Sequence, residues 1–406
     1  MKKILAGTMA LLALSYICVP DNRAANMTGK DVSASNNAFG FDLLRKLQDP
    51  KNVENIFISP TSICSACTMA YFGAAGPCKT EMGQVFKISS EDVSGAYADL
   101  NSSLAALNGP CQFTNANAIF VDTAFKFKAS FVDLCKKAFS AECKSLALNS
   151  DAGIEAVNNW AKVKTNNKIP KLITSPPPDL AAILTNAVYF KGKWQAQFDK
   201  NKTTPDDFHN ADGTTKKVQM MLLDGDVQGY VGDGFKAAML PYQGKRLKAY
   251  FFVPDKSSGL EKMLKTLSVD TWNKWLKLFS KKEEAVVQIP RFTLESGKSL
   301  VAPLKSLGMT KAFDFNQADF NPMFEDNKKR IRIADVIHKT FVQVNEEGTE
   351  AAAATAVLMQ AESARFIPDK FVMKADHPFL FAIADEKTST ILFLGLIQRL
   401  GPDNSK

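Results

Sequence analysis

Histidine is scarce in this chain: His209, His338 and His377 are the only three in 406 residues. A zinc site would therefore have to rest on cysteine. Cys64-Ser65-Ala66-Cys67 has no second Cys-x-x-Cys to complete one. Those two cysteines read instead as small apolar residues one turn apart on a buried helix. Beyond the N-terminus no stretch reaches about 18 consecutive apolar residues, so no helical membrane span is expected. There is no internal repeat and no low-complexity linker, which points to one large domain. A G-x-S-x-G elbow is also missing, so Asp376-His377 is not read as part of a hydrolase triad. No motif for nucleic acid is present, and no cofactor is expected.

The 46% hydrophobic and 23% charged content is that of an ordinary globular protein. The net charge of +8 is modest for this length. Basic residues gather at Lys162, Lys164, Lys168 and Lys171, at Lys274, Lys277, Lys281 and Lys282, and at Lys328, Lys329, Arg330 and Arg332. These read as solvated faces. At most the Lys274–Lys282 cluster is expected to bind a glycosaminoglycan weakly.

Met1-Lys2-Lys3, an apolar run from Ile4 to Val19, and Ala24-Ala25 follow the order of a secretory leader. Residues 1–25 are therefore expected to be a signal peptide, residues 26–406 the mature domain, and the protein to be secreted and extracellular. Sequons at Asn26, Asn101 and Asn201 fit that expectation. Removal of a leader discards Cys18 and leaves Cys64, Cys67, Cys78, Cys111, Cys135 and Cys143, whose pairing stays open.

Helical spacing covers Asn37 to Leu47, a Pro-started segment from Ser59-Pro60 to Gly73, and Ala156 to Lys164. Ser175-Pro176-Pro177-Pro178 reads as a stiff turn. Strand patterns cover Asn117 to Val121, Ala182 to Phe190, Ala249 to Val253, Ala285 to Ile289, Phe341 to Val344, Phe379 to Ile383 and Ile391 to Leu394. Helices come early, strands late, and there is no βα alternation. The expected class is α+β with large, mostly antiparallel or mixed sheets.

The most informative segment follows Val344. After Gly348 comes a run of small residues, Thr349 to Ala356, with no proline, no aromatic and one charge, Glu350. A helix so poor in large apolar residues would have little to anchor it. A loop that later becomes a central strand needs this composition: every N–H present, hence no proline, and small side chains on the face entering the core. Thr349, Ala351, Ala353 and Thr355 share one parity and would point inward, whereas Glu350 would face out.

Glu346-Glu347-Gly348-Thr349-Glu350-Ala351-Ala352-Ala353-Ala354-Thr355 resembles the hinge of inhibitory serpins. Asn186 to Trp194, Phe57 to Ile63, Ala375 to Phe381 and Ile391 to Gly395 resemble four further serpin motifs, in the family's order. The resemblance spans essentially the whole chain after the leader. It implies a single α+β domain of three β-sheets and about nine helices, with an exposed reactive loop at about residues 346–368. It implies a monomeric inhibitor, not an enzyme. A serine protease cuts the loop, is held as an acyl-enzyme, and is carried about 50 Å as roughly 15 residues insert at about 3.3 Å each.

The family's spacing from the hinge glutamate puts the cut at Glu362–Ser363, which suits a protease with a basic specificity pocket. Arg365–Phe366, three residues later, is the rival and suits trypsin-like enzymes; Met359, Gln360 and Ala361 are further candidates. The resemblance places Trp194, Arg291 and Glu346 where the loop enters the sheet, with Arg291 pairing with Glu346. It places Ser59, Ser62, Asn186 and His338 in a polar cluster that lets the central strands part. The helix matching the heparin site of some serpins, about residues 91–107, carries Glu91, Asp92 and Asp99 but no lysine or arginine. A heparin site there is not expected. A carrier, chaperone or storage serpin is the alternative reading.

Overall fold

A computed structural model describes residues 27–402 except 50, 52, 89–92, 108, 175–179, 256–258, 280–282, 327–329 and 350–369. The expected leader, Asn26, the Ser175–Pro178 turn, Lys281, Lys282, Lys328, Lys329, the loop from Glu350 onward and both candidate cut bonds lie outside the described residues.

The first half of the chain runs α1 (Gly29–Leu47), β1 (Ile56–Ile58), α2 (Pro60–Phe72), α3 (Gly76–Val85), α4 (Ser94–Ala105), β2 (Cys111–Asp122), α5 (Ala129–Phe139), β3 (Glu142–Leu146), α6 (Asp151–Lys164) and β4 (Ala182–Lys193). Next come β5 (Thr204–His209), β6 (Thr215–Gly232), β7 (Phe235–Pro241), β8 (Leu247–Pro254), α7 (Gly259–Thr266), α8 (Val269–Leu278), β9 (Glu283–Pro290), β10 (Phe292–Ser299) and α9 (Val301–Ser306). The chain ends with β11 (Asp335–Asn345), β12 (Gly348–Thr349), β13 (Phe371–Lys374), β14 (Phe379–Asp385) and β15 (Thr390–Ile397).

Helix α1 begins well before the Asn37 start read from hydrophobic spacing. Thr28 caps it: Asp31 N donates to Thr28 Oγ1 at 3.3 Å, and Thr28 N donates to Asp31 Oδ2 at 2.8 Å. That reciprocal pair satisfies two donors of the first turn and lets a polar stretch start the helix. Pro60 opens α2, where a missing N–H costs nothing. From Pro60 to Tyr71 every residue of α2 is buried, Cys64 and Cys67 included.

The main sheet has six strands in the order β10-β11-β12-β4-β2-β3, and β11 also pairs directly with β4. Helix α6 covers one face of it: Val157, Trp160 and Ala161 meet Phe120, Ile183 and Ala187 in a small core. The larger core, including α2, lies on the other face. Being covered on both sides, β4 is buried from Ala182 to Phe190, so it reads as apolar apart from Thr185 and Asn186, whose side chains are hydrogen-bonded.

The remaining strands form one nine-stranded hydrogen-bonded network. Its shape accounts for the count of sheets. The 18-residue strand β6 pairs with β5 and β9 through Val227, then with β7 from Gln228 onward. Two of the three expected sheets thus share one continuous strand.

Asp385 closes β14 with no solvent exposure and accepts from Arg246 Nε and Nη2 at 2.8 Å each. Asp385→Ala leaves a partly buried guanidinium without its carboxylate, at a cost of about 2 kcal/mol. A lower urea midpoint than wild type is the expected outcome; an unchanged midpoint would contradict it.

Candidate functional site

The upper end of the main sheet is divided. Strands β4 and β11 run parallel and pair from Asp335 with Ile183 up to Phe341 with Tyr189. Above that level they separate, and the chain leaving β11 turns back between them. Gly348 lies opposite Lys193 and Thr349 opposite Gly192 on β4; on β11, Thr349 faces Val344 and Gly348 faces Asn345. Two residues of the hinge are therefore already strand.

The turn that sends the chain back is built by side chains. Asn345 Oδ1 accepts from Glu347 N and Gly348 N at 3.1 Å each. Trp194 Nε1 donates to Asn345 O at 2.9 Å, Trp194 N donates to Glu347 O at 2.9 Å, and Phe198 N donates to Glu346 O at 2.9 Å. Trp194 is fully buried and stacks on Tyr242 with ring centroids 4.5 Å apart. The Tyr242 hydroxyl meets Thr349 Oγ1 at 2.7 Å, and Thr349 has no solvent exposure. Gly348 admits no larger residue, since a Cβ there would stand 2.0 Å from Gly192 O.

Two acidic side chains anchor the turn. Glu346 is 2% exposed; it forms an ion pair with Arg291 and accepts from Thr203 Oγ1 at 2.8 Å. Burial alone would raise its pKa, but hydrogen bonds from Arg291, its own N–H and Thr203 outweigh that and hold it below the usual carboxylate range. Glu347 pairs with Lys200 at 2.5 Å.

Lower down, a buried polar cluster bridges the two strands beneath the sheet. His338 on β11 faces Asn186 on β4, with Nδ1 and Oδ1 2.5 Å apart. Ser59 N donates to His338 Nε2 at 3.0 Å, so Nε2 is the acceptor and Nδ1 carries the proton. Asn186 Nδ2 donates to Asn117 Oδ1 at 2.6 Å and to Ser62 Oγ, and Ser62 Oγ donates to Asn115 Oδ1. Ser59 Oγ is buried without a partner. A charged imidazole has no acceptor at Ser59, and burial holds the His338 pKa at about 3.

The structure thus brings Trp194, Arg291, Glu346, Glu347, Gly348 and Thr349 together at the strand opening, and Ser59, Ser62, Asn186 and His338 below it. Glu350, Ala351, Ala352, Ala353, Ala354 and Thr355 lie outside the described residues. Asn201 is exposed on a short turn, whereas Asn101 Nδ2 donates to Ala138 O at 2.8 Å. Sequence reasoning missed Tyr242, Asn345, Thr203, Lys200, Asn115 and Asn117. For the last two a signal existed: alternate asparagines in a strand of aliphatic residues are out of character and need a reason.

The sequence model of the family described as Serpin (serine protease inhibitor) matches residues 34–399. The chain belongs to the serpin family. Serpin B6 of Macaca fascicularis is 37% identical over 375 residues, covering 90% of this serpin and 98% of the relative. Leukocyte elastase inhibitor of Bos taurus is 35% identical over 378 residues, covering 90% and 98%. Among solved structures, thyroxine-binding globulin in complex with thyroxine superposes with a TM-score of 0.82 at 26% identity, covering 91% of this chain and 99% of that one. Thyroxine-binding globulin is a non-inhibitory structural neighbour, whereas the two sequence relatives are inhibitory serpins.

They also correct the expected localisation. Serpin B6 and leukocyte elastase inhibitor are clade B, intracellular serpins, so the secreted, extracellular assignment does not hold. The lysine, apolar and alanine order concerns residues 1–25 alone, whereas the kinship extends over the folded chain.

Unfolded histidine takes up a proton near pH 6.5, buried His338 only near 3. Between those values the unfolded state binds more protons, so stability falls as pH drops through that window, by at most about 1.4 kcal/mol per unit, and is flat above it. Denaturation curves at pH 7.5 and 5.0 should show this loss, and His338→Asn should reduce it. An equal loss in the variant would place its source elsewhere.

Proposed function

We propose that this serpin traps a serine protease as a covalent complex, through cleavage of its loop and insertion of the cut strand between β4 and β11. The observation that carries the reading is the seating of Gly348 and Thr349 as the first two residues of such a strand. Continuing their antiparallel register sets Ala351 opposite Phe190, Ala353 opposite Val188 and Thr355 opposite Asn186. These positions share the inward face of Thr349, and all are small. The growing strand replaces the direct pairs between β4 and β11, and Thr355 arrives at the level of the His338–Asn186 contact.

The same register sets Met359 opposite Ala182, the first residue of β4. Glu362 then emerges just past the foot of the sheet. A cut at Glu362–Ser363 fills the gap and leaves a short tether for the acylated protease. The chemistry is the protease's own: its serine attacks the Glu362 carbonyl, the Ser363 amine leaves, and an ester joins the two proteins. Each residue that inserts adds ladder hydrogen bonds worth about 1 kcal/mol net. Pulling on the ester distorts the oxyanion hole, and deacylation stalls. Arg365–Phe366 is the rival bond and would leave a tether three residues longer.

The wild-type serpin, mixed with a glutamate-preferring and with a trypsin-like serine protease, should form an SDS-stable complex and release a C-terminal peptide beginning at Ser363. A peptide beginning at Phe366 moves the bond to Arg365. Cleavage with no complex favours the carrier reading. Thr349→Arg places an unpaired charge against Tyr242 in the core, so it should be cleaved yet trap at least about tenfold less protease. Trapping equal to wild type would contradict insertion by this route.

A further inference from the structure

A cavity opens where α7 and α8 meet the tip of the β6–β7 hairpin. The hairpin turns tightly: Gly232 pairs with Phe235, and Gly234 takes a left-handed backbone, φ 79°. Asp255, just past β8, ties the turn down, its N–H donating to Gly234 O at 2.9 Å. Helix α7 runs from Gly259 to Thr266 beside it and buries Met263 and Leu264. Ser268 then caps α8, accepting from Thr271 N at 3.1 Å. Within α8 the first tryptophan, Trp272, is buried in the core. Trp275, nearly one turn on, stays half-buried, and Leu278 is 52% exposed. The space these elements bound is about 490 Å³, within the roughly 300–1,000 Å³ typical of small-molecule sites.

Part of the lining is apolar: Phe235, Met263, Trp275 and Leu278. Trp275 is held by Phe235 and Phe252, with ring centroids 5.0 and 5.1 Å from its own. Another part is acidic. Asp233 and Asp255 line it, with Asp255 Oδ2 beside the hairpin turn, 3.9 Å from where a Cβ on Gly234 would stand. Lys262 also lines the cavity and meets Asp233 at 3.5 Å, but both side chains are well exposed, so the pair is weak. Two carboxylates against one ammonium leave the lining negative. A half-buried indole near carboxylates attracts a cation, and the exposed apolar surface beside it favours an apolar body. We propose that this cavity binds a small arylalkylamine, its aromatic body on Phe235, Trp275 and Leu278 and its ammonium at Asp255 and Asp233. An anion of the same size meets repulsion from both carboxylates. The cavity shares no residue with the strand opening, so its test needs no protease.

The test is fluorescence titration of the full-length protein with dansylcadaverine, a naphthalene sulfonamide that carries a primary ammonium, against dansylamide, which lacks it. Dansylcadaverine should bind saturably, its emission brightening and moving to shorter wavelength, and about fivefold or more tighter than dansylamide. Asp255→Asn removes one exposed carboxylate and should erase that difference. Leu278→Arg sets a cation at an exposed position on the cavity wall and should abolish dansylcadaverine binding. Thermal unfolding of both variants at the wild-type temperature marks a loss as one of binding rather than of folding. If either variant fails to fold, the two-probe comparison on the wild type still decides. Absence of saturable binding, or equal affinity for the two probes, would overturn the proposal. So would an undiminished preference for dansylcadaverine in folded Asp255→Asn, or undiminished binding by folded Leu278→Arg.

Discussion

The upper ends of β4 and β11 are held apart by Gly348 and Thr349, and the rest of the site follows from that wedge. Below Phe341 and Tyr189 the two strands satisfy each other. Above, they part, and the returning hinge occupies the space. Backbone groups in a sheet interior need partners, and on the proposed reading more of the same chain would supply them if the strands part further. The small side chains from Thr349 to Ala356 meet the steric side of that requirement, and the absence of proline meets the hydrogen-bonding side.

Around this wedge a set of polar side chains fixes the turn. Asn345, Trp194 and Phe198 fix the turn through its backbone, while Arg291, Thr203 and Lys200 fix it through Glu346 and Glu347. Side-chain hydrogen bonds of this kind are specific but individually modest. They hold the hinge in register without locking the strands below it. The His338–Asn186 contact, lower in the same seam, joins β11 to β4 by one side-chain bridge that an incoming strand can replace.

Much of this was legible beforehand because each signal had a physical origin. Pro60 and Gly73 bracketed α2, the aliphatic and aromatic residues from Ala182 to Phe190 marked the strand β4, and the hinge parity placed Thr349 inward. Other parts were illegible for equally physical reasons. The edge strand β5 reads Thr-Pro-Asp-Asp-Phe-His, too polar to look like a strand, because only Phe208 of it is buried. The start of α1 depends on a capping box rather than on hydrophobic spacing. Tyr242 lies in a β-bridge with Trp194 outside any strand, and only the fold brings it to Thr349. The localisation was misread for a different reason: a leader pattern is an address, and nothing in packing tests it.

The central claim is that the intact protein keeps its loop out of a sheet that would be more stable with it inside. The direct measurement is to nick the loop with a protease, remove the protease, and compare thermal unfolding of the cut and intact forms. The account predicts that the cut form unfolds at a markedly higher temperature, since the freed strand completes the ladder between β4 and β11. A cut form that unfolds at the same temperature or lower would contradict it.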